Sequence, residues 1–316
     1  MNKKPLGNSG MAVPPLIFGG NVFGWTADEA ISFALLDSLM EAGFNAVDTA
    51  EAYSYWAPGH RGGESETVIG NWLHRRGGRD QILIFSKVGL LPTTDSGSLS
   101  RRNIIRAVED SLHRLRTDYV DLYQAHRDDG TTPLDETLEA FARLIEAGKV
   151  RAIGGSNYTA ARLGQALDTS SRLGVPRYEV LQTHYNLLER AGYEEALEPL
   201  CQKERLGVIS FFSLAAGFLT GKYRSETDLA QSPRGPRYIS KYLNARSFQI
   251  LAAVEAAAKV QGITPAEIAI AWIIARPSIT APIASATSLD QLRTLLTATR
   301  VRLDRDTIAA LDAASA

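Results

Sequence analysis

The chain predicts an α/β fold of the (β/α)8 TIM-barrel class, with an N-terminal β-hairpin ahead of the barrel and extra C-terminal helices. Three observations carry this expectation. Eight short apolar runs alternate with amphipathic stretches between Leu16 and Ala298, the order of a parallel sheet closed by crossover helices. Runs such as Ile82-Leu-Ile-Phe are apolar throughout rather than alternating, as strands buried on both faces are. Three runs also end at, or just before, an ionisable side chain: Asp48 with Tyr53 beyond it, Lys87, and His126. In such a barrel all strand ends converge on one face, where chemistry is placed. No Gly-x-Gly-x-x-Gly opens the first βα turn, which argues against an open dinucleotide-binding sheet.

The elements follow in order. Leu6-Gly-Asn-Ser-Gly10 is the turn of the hairpin, and 16–20 is the first barrel strand. Apolar residues at 31, 35, 36, 39 and 40 mark a helix from Asp28 to Ala42, stopped by Gly43. Strand 44–48 leads to helix 65–76, opened by Ser65 and closed by Gly77-Gly78. Then come strand 82–87, helix 101–116, strand 119–126 and helix 134–147 with Gly148 after it. The second half reads as strand 150–157, helix 159–173, strand 178–184, helix 193–205 and strand 208–212. A segment from 217 to about 245, with Pro233, Gly235 and Pro236, is irregular. Helices 247–260 and 265–275 follow, the second capped by Thr264 with Pro265 in its first turn. Strand 279–283 and helix 289–298 complete the repeat, and a last helix near 304–314 lies outside it. The whole of 1–316 is expected to form one domain.

Composition narrows the function classes. Apolar residues make up 45%, charged residues 22%, and the net charge is −1. That is ordinary for a folded soluble protein and gives no case for nucleic acid or an anionic membrane as partner. The one cysteine, Cys201, excludes an intramolecular disulfide and suits a reducing compartment. No apolar signal segment opens the chain and no run approaches the ~20 residues that span a bilayer. The expectation is a cytoplasmic protein with no metal site; its oligomeric state is left open.

The site residues have a chemical logic of their own. A phenol such as Tyr53 has a pKa of about 10, too high to protonate an alkoxide well near neutral pH. A fixed ammonium beside it favours the phenolate, and Asp48 is the natural clamp on Lys87. His126 suits a hydrogen bond to a substrate oxygen. Read blandly, Asp48 and Lys87 are a structural ion pair beside two ordinary loop residues. The convergence of all four on one barrel face favours proton transfer.

Asp48-Thr-Ala-x-x-Tyr53, Gly63-Glu-Ser-Glu66, Ser86-Lys87, Asp118-Tyr-Val-Asp-Leu-Tyr-Gln-x-His126, Gly154-Gly-Ser-Asn157, Gln182 with Tyr185-Asn186, and Leu219-Thr-Gly-Lys-Tyr223 closely resemble the aldo-keto reductases, including the branch that holds the potassium-channel β-subunits. The resemblance spans residue 6 to about 312. It implies reduction of an aldehyde or ketone with a nicotinamide cofactor, with Tyr53 as general acid and base, Asp48 and Lys87 tuning it, and His126 positioning the carbonyl. Ser156, Asn157 and Gln182 match the carboxamide ligands and Phe211 the aromatic that stacks on the nicotinamide; Phe212, Ser213, Leu214 and Gly217 continue that side. Independently, amide side chains offer both a donor and an acceptor, the carboxamide's own pattern; the bland readings are that Asn157 caps helix 159–173 and that Gln182 satisfies buried backbone. Lys222 beside Gly221 suits a pyrophosphate or is a solvated loop lysine.

The sequence departs from the family in two places. Phe212-Ser213-Leu214 stands where Ser-Pro-Leu is usual, and Ile283-Ala-Ser285 where Ile-Pro-Gly is usual, with Ser288 in place of a common basic residue. Ser285, Thr287 and Ser288 still place hydroxyls at a helix start, with Gln291 and Arg293 about one turn on, so a 2′-phosphate site is expected there. NADP(H) is therefore favoured, with NAD(H) possible. Trp25, Tyr55 and Trp56 are expected to wall the substrate pocket, and Arg224, Arg234, Arg237, Tyr238 and Tyr242 in segment 217–245 to form a clasp or a solvated loop. Two rivals stand beside the reductase: a cofactor-binding regulatory module with slow turnover, and a lyase using Lys87 as a Schiff base.

Overall fold

The computed structural model describes residues 2–91, 98–233 and 235–316. The chain opens with the hairpin β1 (Lys4–Pro5) and β2 (Ala12–Val13). The repeat then runs β3 (Ile17–Gly19), α1 (Glu29–Glu41), β4 (Ala46–Asp48), α2 (Glu64–Arg76), β5 (Leu83–Val88), α3 (Arg101–Leu115), β6 (Val120–Ala125) and α4 (Leu134–Glu146). It continues through β7 (Val150–Ser156), α5 (Ala160–Leu173), β8 (Val180–His184), α6 (Ala191–Glu194), α7 (Leu197–Glu204), β9 (Gly207–Phe211), α8 (Ala245–Gln261), α9 (Pro265–Ile274), β10 (Ala281–Ala284), α10 (Leu289–Ala298) and α11 (Arg305–Ser315). Strands β3 to β10 pair in parallel in chain order, and β10 returns to β3 with Ile283 opposite Ile17, closing the barrel. The hairpin, closed barrel and C-terminal helices are those the sequence predicts.

Alternation along each strand sorts the side chains. Ile17, Ala46, Phe85, Leu122, Ala152, Val180, Ile209 and Ala281 point inward and form one apolar cluster. Leu6 and Val13 of the hairpin join it, so the N-terminal end of the barrel is plugged. Gly7 makes this close approach: at φ +56, an added Cβ would lie 2.5 Å from both Glu179 O and Gly207 N. Two residues further along the strands, the inward positions are polar: Asp48 on β4, Lys87 on β5, Gln124 on β6 and Gln182 on β8. The floor is apolar and the upper layer is polar.

Three local readings are corrected. Helix 193–205 is two helices, α6 and α7, because Pro199 cannot share a helix with the carbonyl four residues earlier and the chain breaks at Glu195-Ala196. Helix α2 starts at Glu64 with Gly63 in the left-handed region as its cap. Ser65 lies inside it, donating to Gly20 O at 2.8 Å and bonding Thr49 Oγ1 at 2.8 Å, and so staples the ends of β3 and β4 together. Helix α5 is capped by Thr159, whose hydroxyl accepts from Arg162 N at 3.2 Å; Asn157 is not its cap. Among the described residues no helix is long and apolar enough to cross a membrane.

Helices α2 and α3 pack closely at Gly70, where an added Cβ would lie 2.0 Å from Arg114 O. Gly70→Ala therefore has to push backbone apart. The expected loss is about 1–3 kcal/mol, seen as a lower denaturant midpoint with an unchanged slope; a midpoint equal to the parent's would show that the two helices separate at no cost.

Candidate active site

The barrel mouth assembles the predicted set. Asp48 is the last residue of β4 and Lys87 the last but one of β5, both inward and both buried, at 1% and 0% exposure. Lys87 Nζ donates to Asp48 Oδ2 at 2.7 Å, Thr49 O at 2.8 Å and the Tyr53 hydroxyl at 2.8 Å. Three acceptors use all three protons of an ammonium. The Tyr53 hydroxyl donates in turn to Asp48 Oδ2 at 2.8 Å, and Gln182 Nε2 donates to Asp48 Oδ1 at 2.7 Å. Burial draws the Lys87 pKa down while attraction to Asp48 opposes that shift. A lysine bound this way has no lone pair to offer a carbonyl, which removes support from the Schiff-base reading.

His126 follows β6, its backbone N–H donating to Val88 O at 2.8 Å. Its ring stands edge-on to Tyr53, centroids 5.9 Å apart at 73°. Burial, and then the positive charges of Lys87 and Arg127, hold its pKa well below the ordinary value. At neutral pH it is a neutral imidazole, able to donate one hydrogen bond without adding charge. Its Nδ1 is buried with no partner among the described residues.

Tyr53 and His126 line a cavity of about 860 Å³, within the roughly 300–1,000 Å³ of small-molecule and cofactor pockets. Ser156, Asn157, Gln182, Phe211, Phe212, Ser213, Leu214 and Gly217 line it too, as do Lys222, Ser285, Thr287 and Gln291. The donor pattern fits a carboxamide. Asn157 Nδ2 is used on His126 O (2.9 Å) and Ser156 Oγ (3.1 Å), and Gln182 Nε2 on Asp48, so both amides keep a carbonyl oxygen to accept from an NH2. The Ser156 hydroxyl, accepting from Asn157, keeps its proton for a C=O. Phe211 is backed by His184, rings stacked at 5.4 Å and 18°, and lines the cavity. Phe212 sits at φ +55, and Ser213 donates to Ile283 O at 2.9 Å, which ties its hydroxyl to the barrel wall.

Several expected positions fall elsewhere. Arg293 does not line the cavity; it is 74% exposed and pairs with Asp290 at 2.9 Å. Two residues after Gln291 it points to the other side of α10, at about 100° per residue. Ser288 is the cap of α10, accepting from Gln291 N, and Thr287 N donates to Gln291 Oε1. Tyr55 is 37% exposed and leans on Trp56 from outside, whereas Trp25 and Trp56 do line the cavity. In segment 217–245, Tyr238 lines the cavity and tilts onto Phe212. Arg224 turns away to Glu255, Arg237 lies over the Tyr238 ring, Tyr242 packs in the core on Phe218, and Arg234 lies outside the described residues.

Sequence reasoning missed Asn21, Thr264, Ala266, Thr294 and Leu295, all of which line the cavity. Asn21 was within reach, since it closely follows β3 and the strand-end rule applies to it as to Asp48. Thr294 sits three residues after Gln291 on the same helix face. Thr264 and Ala266, from the start of α9, carried no signal.

A model of the aldo/keto reductase family matches residues 15–316. The chain is 33% identical to Protein tas of Escherichia coli K12, over 97% of this chain and 95% of that protein. It is 32% identical to the uncharacterized oxidoreductase YrpG of Bacillus subtilis, over 97% and 94%. It is also 32% identical to a probable voltage-gated potassium channel subunit beta of Oryza sativa, over 92% and 89%.

The Asp48–Lys87 pair yields a stability test. Lys87→Met leaves a buried carboxylate without its cation, and the expected loss is about 3–5 kcal/mol. Adding Asp48→Asn, which removes the stranded charge, should recover a large part of it. Urea unfolding of both variants checks this; a double variant no more stable than the single one would mean the carboxylate is not what Lys87→Met leaves uncompensated.

Proposed function

The chain belongs to the aldo/keto reductase family, and on that premise we propose that its single domain, residues 1–316, reversibly reduces an aldehyde or ketone to an alcohol with Tyr53 as proton donor and NADP(H) as preferred cofactor. The observation that carries the reading is the three-way contact of Lys87 Nζ with Asp48, Thr49 O and the Tyr53 hydroxyl at the cavity end. A bound nicotinamide supplies the hydride to the carbonyl carbon, or takes it back in the reverse direction. Ser156, Asn157 and Gln182 would hold its carboxamide, Phe211 would offer a flat face, and Lys222 would meet phosphate.

The chain's own residues handle the oxygen. His126, neutral and beside Tyr53, donates to the carbonyl oxygen and fixes its direction. As negative charge develops on that oxygen, the Tyr53 hydroxyl gives up its hydrogen bond to Asp48 Oδ2 and its proton moves onto the substrate oxygen. The charge left on the tyrosine oxygen lies 2.8 Å from the buried Lys87 ammonium, which stabilises it at short range. Asp48, held by Gln182, keeps the ammonium in place. Trp25, Trp56 and Leu90 give the substrate end an apolar wall, which favours apolar or ring-bearing carbonyl compounds. The cytoplasmic setting rests on composition. A cofactor-binding regulatory module with slow turnover, the rival reading, would not need this complete proton-donor set.

Tyr53→Phe should keep cofactor binding and lose ~10²–10⁴-fold in turnover. Fluorescence titration with NADPH, followed by absorbance assays with a panel of aldehydes, measures both; undiminished kcat would remove Tyr53 as the acid.

Cofactor preference turns on Lys222, which is the one lysine or arginine lining the cavity among the described residues. If it meets the 2′-phosphate, Lys222→Ala weakens NADPH by about tenfold to a hundredfold, the worth of a charge-assisted hydrogen bond. NADH and the effect of Arg293→Ala should both stay near unity. Equal weakening of the two cofactors would assign Lys222 to the pyrophosphate and leave the NADP(H) preference without a residue.

A further inference from the structure

Glu51 is a buried carboxylic acid, 5% exposed, to which the mechanism above gives no part. It lies in the loop between Asp48 and Tyr53 and does not line the cavity. Its backbone N–H donates to Lys87 O at 3.2 Å, and its Oε1 accepts from Gly89 N at 2.8 Å. Between those two contacts, Val88 O accepts from His126 N at 2.8 Å. Residues 87–89 are therefore the junction at which the tyrosine loop, the lysine strand and the histidine strand are tied together. Gly89 is fixed there in an uncommon conformation, φ +102, where an added Cβ would lie 2.6 Å from Leu99.

We propose that Glu51 is a positioning residue whose proton sets how tightly the tyrosine loop is held to the end of the lysine strand, and that turnover follows that proton. The proposal rests on the reductase reading for the meaning of turnover.

The surrounding groups make Glu51 the one that changes charge. Facing it are Glu66 of α2, Arg106 and Arg114 of α3, and Tyr123 of β6. Glu66 is committed, accepting from the Ser86 hydroxyl and from Arg114 Nε at 2.8 Å. Tyr123, buried, is pushed well above the ordinary phenol value. Burial pushes Glu51 up to about 7, with Glu66 adding to the rise and the Gly89 hydrogen bond and both arginines opposing it. Above that pH the bond from Gly89 is charge-assisted and short; below it the bond is an ordinary one.

Charge thus tightens the junction but is costly to bury, so activity and stability should move in opposite directions. A carboxyl whose folded-state pKa is raised contributes stability that is complete below its unfolded value and is lost as pH rises through the folded value, here about 7. The test uses the full chain with NADPH and para-nitrobenzaldehyde, reading kcat and Tm between about pH 5 and 8. In the parent, kcat should rise through about 7 while Tm falls. Glu51→Gln, isosteric and still able to accept from Gly89, should show neither inflection and hold the parent's low-pH rate. Glu51→Asp, one methylene short of Gly89, should keep a Tm slope yet lose the rise in kcat. Retention of the parent's kcat inflection in Glu51→Gln, or a parent flat in both readouts, overturns the proposal. Loss of activity in Tyr53→Phe tests the acid itself, so the two readings can fail separately.

Discussion

The ion pair between Asp48 and Lys87 is the constraint on which the rest of the mouth depends. Two opposite charges with almost no solvent exposure face a desolvation cost of several kcal/mol each. Their attraction offsets that cost only where every remaining proton and lone pair is also satisfied. The barrel supplies the satisfaction: Thr49 O and the Tyr53 hydroxyl take the other two protons of Lys87, and Gln182 reaches across from β8 to the second oxygen of Asp48. The partners come from three strands and one loop. Closing the sheet is what brings them together, so the electrostatics of the site and the topology of the barrel are one requirement.

That requirement explains how the interior is layered. Below the pair the barrel is filled by Phe85, Leu122, Val180, Ile209 and their neighbours, and the hairpin seals it with Leu6 and Val13. A dry floor keeps water from the ammonium, so attraction to Asp48 stays strong at short range. Outside the barrel, Glu66, Arg114 and Ser86 form a second polar knot where α2 and α3 meet, and Ser65 pins α2 to the strand ends. Helices on the outside are thus tied by hydrogen bonds to the strand ends that form the mouth.

How much of this was legible in the sequence follows from which forces act locally. Strand ends carrying Asp48, Lys87 and His126 were readable because a fully buried parallel strand leaves an unbroken apolar run, and an ionisable residue at its end has few other places to be. Ser156, Asn157 and Gln182 were readable as cavity residues from their motif, but how they share their hydrogen bonds was not: that Gln182 spends its N–H on Asp48 is a contact across the barrel, between residues 134 apart in the chain. Charge near a helix start does not by itself locate Arg293, because the side of α10 it faces decides whether it meets the cavity. The apolar periodicity of 193–205 reads as one helix, and Pro199 is what divides it. Glu51 gave no signal at all, since its properties arise from burial against α2, α3 and β6, which a single sequence does not display.

The full engagement of Lys87 has one more consequence. A protein that handles aldehydes works among electrophiles that condense with free amines, and an amine in its own mouth would be the first to be consumed. With all three protons bound to oxygen and the side chain 0% exposed, Lys87 is shielded from such carbonyl compounds. The exposed Lys222, which lines the same cavity, has no such shelter, so slow chemical wear by reactive carbonyls would reach it before Lys87.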